Sequence, residues 1–140
     1  LAELVAAFNA MLGRLEESAA MLDEYEKQLG AQPNVQQRIA LQKNRGILAF
    51  QSGQYPEAVR FLESADSELQ AMLRSSDQPS PYEEEIVFYL ARSHESQGEQ
   101  TKACDLYDRY EGLVQGCGPG ETERRDFAAS RAASAECVKG

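Results

Sequence analysis

Apolar residues recur at every third or fourth position along most of this chain, a spacing that predicts amphipathic α-helices rather than strands. Proline and glycine interrupt the pattern and mark the connections between helices. Helices are therefore expected over residues 1–29, 35–51, 56–74, 81–97, 101–114 and 121–138, with the clearest break at 75–81. Because no half could bury its apolar face alone, we predict one all-α domain of antiparallel helices spanning residues 1–140.

The stretch from Asn44 to Ala65 carries the most specific signal. Gly46 is followed seven residues later by Gly53, then by Tyr55, Ala58 and Ala65. Gly53 can end a helix in the left-handed conformation, and small residues at 46 and 58 allow two helices to approach closely. These offsets resemble the tetratricopeptide repeat, a helix–turn–helix unit of about 34 residues.

The resemblance implies about three such units, marked by Gly13, Gly53 and Gly98, with the last helix as a C-terminal cap. Around Gly98 the match is partial, since Tyr110 and Gln100 depart from the family pattern. The resemblance further implies a non-catalytic protein–protein interaction module that binds a peptide or protein on a concave face. The candidate partner-binding residues on that face are Lys43, Asn44, Ile47, Phe50, Gln51, Phe88, Tyr89, Arg92 and Glu95.

Residues 1–29 admit two interpretations. Gly13 either breaks the segment into a helical pair or lies within one continuous helix. The continuous interpretation rests on apolar residues repeating every seven positions, which is typical of a coiled coil. These are Leu1, Phe8, Leu15, Leu22 and Leu29.

The start of this segment, within residues 1–18, also resembles the second helix of a HAMP domain. The resemblance is carried by Glu3, Leu4, Phe8, Asn9, Met11 and Leu12. It implies an alternative function, a cytoplasmic signalling connector downstream of a membrane sensor. In that case residues 1–29 would form a homodimeric coiled coil.

The net charge of −9 limits the classes of partner that the chain is expected to bind. It disfavours nucleic acid and anionic membrane surfaces, which attract basic proteins. No apolar run reaches the roughly 20 residues of a membrane span, so no direct membrane insertion is expected. Lys43 and Arg92 would form a rare positive spot beside apolar residues. We therefore expect a peptide partner with an apolar anchor and at least one carboxylate.

The three cysteines lie in the last third of the chain, at positions 104, 117 and 137. If the last two helices pair symmetrically about the Gly116–Gly120 turn, Cys104 faces a residue near Arg131 and Cys137 lies about 9 Å too far along. Disulfides need Cα atoms within about 7 Å. We therefore predict free thiols and a cytoplasmic location. The bacterial periplasm is the alternative if the chain, which begins with Leu1, is a processed form.

No residue pattern indicates catalysis. His94 is the only histidine and has no second ligand at metal-binding spacing, so no metal site is expected. The acidic triplet 83–85 suits a solvated helix N-terminus, and the GCGPG turn lacks the lysine of a phosphate-binding loop. We predict no catalytic residues, no cofactor and no enzyme activity.

Overall fold

The structure is a computed structural model that describes residues 2–76, 80–114, 122–132 and 137, with side chains described from residue 14 onward except at 122, 123, 125 and 132. The described residues form six α-helices and contain no strand. The helices are α1 (Ala2–Leu29), α2 (Val35–Gln51), α3 (Tyr55–Leu73), α4 (Glu83–Ser96), α5 (Gln100–Val114) and α6 (Thr122–Ala132). The predicted all-α class is confirmed. None of the described helices is long and apolar enough to cross a membrane.

The two central hairpins turn in the same way. Gly53 and Gly98 adopt φ values of 77° and 79°, the left-handed region that glycine enters without steric cost. After each glycine, the next backbone N–H donates to a carbonyl five residues earlier. Gln54 donates to Ala49 at 2.8 Å, and Glu99 donates to His94 at 2.9 Å. This bonding satisfies otherwise unpaired carbonyls at the end of the first helix in each hairpin.

Gly46 lies where α2 and α3 come closest. A Cβ atom at Gly46 would lie 2.5 Å from Cγ of Leu62 and 3.4 Å from the carbonyl oxygen of Ala58. Leu62 and Ala58 are fully buried. The crossing therefore requires the absence of a side chain at Gly46, as the small-residue pattern predicted.

Helix α4 joins the two hairpins into one packed array. One side of α4 packs on the first hairpin, where Leu90 joins a buried cluster with Ala49, Ala58 and Leu62. The other side packs on α5 and α6. The cluster there consists of Val87, Phe88, Ala91, Ala103, Tyr107, Tyr110, Val114 and Ala128. Apolar burial of this extent is the main stabilising contribution in a helical array.

Helix α1 is continuous from Ala2 to Leu29, so the interpretation in which Gly13 breaks it was wrong. An interior glycine costs only about 1 kcal/mol relative to alanine, which is too little to force a turn in a long amphipathic helix. α1 packs along α2, and Arg45 of α2 donates hydrogen bonds to the carboxylates of Asp23 and Glu26. We predicted three helical pairs, marked by Gly13, Gly53 and Gly98. The described residues instead contain two hairpins, α2–α3 and α4–α5, with a single helix on either side.

Cys104 and Cys137 form a disulfide bond with their Cα atoms 5.2 Å apart, so the prediction of free thiols was wrong for this pair. The predicted register placed position 131 opposite Cys104. In the structure Arg131 instead donates a 2.6 Å hydrogen bond to Glu95 of α4. Because α6 packs against α4 as well as α5, it does not follow the symmetric register assumed for a simple pair. Cys117 lies outside the described residues.

Candidate partner-binding surface

The first helices of the two hairpins, α2 and α4, lie side by side, and α6 lies next to α4. Phe88 of α4 packs against Phe127 of α6 with their ring centroids 5.9 Å apart. Phe50 of α2 packs against Tyr89 of α4 at 5.6 Å. We call the surface formed by these three helices the first-helix face. Six of the nine residues predicted to bind a partner lie on or beneath this face, namely Lys43, Phe50, Phe88, Tyr89, Arg92 and Glu95.

Arg92 lies over three aromatic rings on this face. Its guanidinium carbon is 4.5 Å from the ring centroid of Phe127, 5.1 Å from that of Phe50 and 6.0 Å from that of Phe88. These distances fall within the range in which a cation is attracted by the negative face of an aromatic ring. We call these four residues, together with Tyr89, the arginine–aromatic cluster.

The charge of Arg92 is not matched by a carboxylate of any residue that the structure describes. Each other partly or fully buried cation whose contacts are resolved has a carboxylate partner, namely Arg38, Lys43, Arg45, Arg109 and Arg131. Arg109, for example, donates two hydrogen bonds to Asp66, at 2.9 and 3.0 Å. Among the described residues Arg92 contacts aromatic rings but forms no ion pair. Its guanidinium N–H groups therefore keep their capacity to bind an anion.

Lys43 does not supply the exposed positive charge that the sequence suggested. Its side chain is buried, with 8% of the residue exposed. The Nζ atom lies 3.4 Å from a carboxylate oxygen of Glu85 and 4.8 Å from the ring centroid of Tyr82. The expected Lys43/Arg92 pair is thus reduced to Arg92 alone, because the fold brings α4 acidic residues against α2.

Glu95 and Phe88 also have structural partners. Glu95 accepts a 3.1 Å hydrogen bond from the hydroxyl of Tyr107 and an ion pair from Arg131. Burial, together with the charge of Glu95, raises the pKa of Tyr107. Phe88 is only 4% exposed and belongs to the buried cluster of the second hairpin. These residues shape the first-helix face from beneath, whereas Phe50, Tyr89 and Arg92 remain partly exposed.

The remaining predicted residues, Asn44, Ile47 and Gln51, lie in a separate groove between α1 and α2. The groove has a volume of about 430 Å³. Its other lining residues are Ser18, Met21, Leu22, Tyr25, Ala40 and Leu48. Met21 is 71% exposed and Tyr25 is 38% exposed, more than any other large apolar side chain that the structure describes.

Sequence reasoning missed the contribution of α1 and of Phe127. Met21 and Tyr25 fit the helical period, but periodicity alone does not say which apolar residues a neighbouring helix covers. Phe127 was assigned to the capping helix and not to the surface. The approach of α6 to α4, which brings Phe127 over Arg92, depends on long-range packing. Alignment of the two hairpins does not pair Phe50 with Arg92 either, since they lie three and six residues before their turn glycines.

His94 is buried, with 3% of the residue exposed, and lies between two carboxylates. Its Nδ1 atom is 3.2 Å from Glu99, and its Nε2 atom is 3.6 Å from Glu63. Among the residues whose positions are described, no group of three or more histidine, cysteine or acidic side chains is arranged to hold a metal ion. The contacts of His94 with Glu99 and Glu63 link the α4–α5 turn to α3, so packing between the hairpins explains the burial of His94.

No protein-family model, curated protein or solved structure matches this chain.

Proposed function

We propose that this chain is a non-catalytic protein-interaction module built from tetratricopeptide-type hairpins. The proposal is supported by the repeated offsets around Gly53 and Gly98 and by the shared cap bonding of the two turns. It is also supported by the close α2–α3 approach at Gly46. In this arrangement successive first helices form a continuous surface suited to a peptide segment.

One observation carries the proposed partner chemistry: Arg92 is partly buried over aromatic rings and meets no carboxylate among the described residues. A partner carboxylate would complete a charge-assisted, two-pronged pairing with its guanidinium group. Phe50 and Tyr89 provide apolar ring surface next to it. The proposed ligand is therefore a peptide with an apolar side chain next to an aspartate, a glutamate or a C-terminal carboxylate.

Selection from a displayed random-peptide library tests this proposal. Sequences selected by the unaltered chain should be enriched in a carboxylate beside an apolar residue. Arg92→Gln removes the charge and should abolish the carboxylate enrichment. Arg60→Gln is the matched control, because Arg60 lies 4.4 Å from the Phe61 ring but on the exposed side of α3. Loss of enrichment in both variants, or in neither, would contradict the proposal.

A second candidate is the signalling connector, which the continuous 28-residue α1 favours. In this function α1 would pair with α1 of a second copy. However, Leu15, Leu22 and Leu29 are partly buried where α1 packs on α2, so much of the heptad seam is already used within the chain. Sedimentation of the chain separates the two candidates, since the connector requires a parallel dimer.

We further propose an oxidising compartment such as the bacterial periplasm rather than the cytoplasm. The Cys104–Cys137 disulfide supports this location, because disulfides persist where thiols are not kept reduced.

A further inference from the structure

The α1–α2 groove differs from the first-helix face in that its apolar floor is exposed. Met21 and Tyr25 lie one turn apart on α1, while Ile47 and Leu48 line the groove from α2. A 71% exposed methionine adds flexible apolar surface that adapts to different partners. Burying this surface against a partner would remove apolar area from water, which favours binding.

The outer rim of the groove is acidic. Glu17 lies four residues before Met21 and Glu24 lies three after it, so helical spacing puts both on the side of Met21 that faces away from α2. Both glutamates are exposed, and neither has an ion pair among the described residues. They are about 10 Å apart along the helix axis at 1.5 Å per residue. Arg14, also exposed, lies at the N-terminal end of the same stripe.

We infer that the α1–α2 groove binds an amphipathic helix whose apolar stripe is flanked on one edge by two basic residues seven positions apart. The seven-residue spacing of the partner's Lys or Arg residues matches that of Glu17 and Glu24. A helix of about three turns covers Met21 and Tyr25 together. This inference concerns a different surface from the arginine–aromatic cluster and does not depend on the proposed carboxylate site.

A second copy of the chain is a poorer occupant of the groove. The chain carries a net charge of −9, and two acidic rims brought together would repel each other. Charge complementarity therefore selects a basic partner helix over self-association. The same acidic rim disfavours an anionic membrane surface.

The test uses the full chain with its disulfide intact and a set of fluorescent helical peptides about 14 residues long. Each peptide carries a Leu, Ile or Phe stripe with Lys at two edge positions seven apart, and matched peptides carry Glu there. Fluorescence anisotropy at low salt should detect binding of the Lys peptides only, and added salt should weaken it. Absence of binding by the Lys peptides, or equal binding of the Glu peptides, would overturn the inference.

Two variants, one double and one single, localise the site. The double change Glu17→Gln and Glu24→Gln should weaken binding about three- to tenfold, as expected for two exposed ion pairs. Met21→Gln should weaken it by a similar factor without reducing helicity, since Met21 is largely exposed. The control Asp105→Asn with Asp108→Asn removes the same charge from exposed positions on α5 and should leave binding unchanged.

If the control pair weakens peptide binding equally, the effect arises from the net charge of the chain and not from the groove, and the inference is overturned. Sedimentation in the same buffer tests whether a second copy of the chain occupies the groove. Concentration-dependent dimerisation that Met21→Gln abolishes would assign the groove to a second copy instead. None of these measurements involves Arg92, so failure here leaves the first proposal standing.

Discussion

In the α2–α3 hairpin the residue seven positions before the turn glycine is Gly46, whereas in the α4–α5 hairpin it is Ala91. Nine positions after the turn glycine the two hairpins place Leu62 and Tyr107, and both are fully buried. The backbone bonding at the two turns is the same. One backbone arrangement therefore accommodates two different sets of packing side chains.

The two hairpins are also held together differently. In the first, the close approach at Gly46 brings Leu62 against the α2 backbone, and Arg38 of α2 pairs with Glu68 of α3 at 3.2 Å. In the second, the larger tyrosine needs a polar partner and finds it in Glu95, at 3.1 Å. Glu95 in turn binds Arg131 of α6, so the aromatic packing of this hairpin recruits the C-terminal helix. The disulfide strengthens that association further.

The largest expected difference between the hairpins concerns this disulfide. Replacing Cys104 and Cys137 together by Ala should lower the free energy of unfolding by about 3 kcal/mol, because a cross-link over a loop of this length restricts the unfolded chain. Denaturant unfolding measures the loss. Addition of dithiothreitol to the unaltered chain should lower its stability similarly and leave the double variant unaffected. Equal stability with and without the cross-link would contradict the assignment.

The next largest change in stability is expected at Gly46, which is equivalent to Ala91 of the second hairpin. Gly46→Ala should destabilise the chain by about 1 kcal/mol, since the new Cβ would overlap Leu62 and the clash exceeds the gain in helix propensity. Gly112→Ala on α5 is the control, because nothing lies within 4 Å of a Cβ there. It should stabilise the chain by about 0.5–1 kcal/mol. A shift of the same sign in both variants, measured by thermal unfolding, would show that the approach at Gly46 is not tight.

The reciprocal change sharpens the same comparison. Ala91→Gly in the second hairpin should cost about 1 kcal/mol or more, because it loses helix propensity and leaves a small void in a buried cluster. Each hairpin would thus reject the residue that the other requires. An unchanged midpoint for Ala91→Gly would mean that the second hairpin has room to relax at this position.

The smallest effect concerns the hydroxyl of Tyr107. Tyr107→Phe should cost about 0.5–1 kcal/mol at neutral pH by removing the hydrogen bond to Glu95. The folded-state pKa of Tyr107 is raised above its usual value near 10, so its contribution is fully present below pH 10 and is lost as pH rises above it. The unaltered chain should therefore lose more stability between pH 9 and 11 than Tyr107→Phe does.

Local chemistry explains which expectations were correct. The predicted range for α2 agrees with Val35–Gln51, and the turns at Gly53 and Gly98 were predicted from glycine alone. Capping preferences depend on only a few neighbouring residues, so they can be predicted from a short stretch of sequence. The N-terminus of α2 follows the same rule: the side chains of Asn34 and Gln37 each accept a hydrogen bond from the other's backbone N–H.

The candidate site was only partly predictable. Helical spacing correctly placed the nine predicted residues on α2 and α4, but it could not separate exposed residues from buried ones. Lys43 pairs with Glu85, whereas Arg92 meets no carboxylate in the described part of the chain, although both are basic residues on first helices. The difference arises from which carboxylates the neighbouring helix brings close. Whether any of these residues binds a partner stays a prediction.

By itself the sequence determined the helices, the two glycine turns and the need for a small residue at position 46, because each depends on backbone conformation or local bulk. Tertiary structure decided the pairing of Cys104 with Cys137, the burial of Lys43 and the exposure of Met21. These properties depend on the register and crossing of helices that are distant in sequence. Register results from many weak contacts acting together, and no local pattern records their sum.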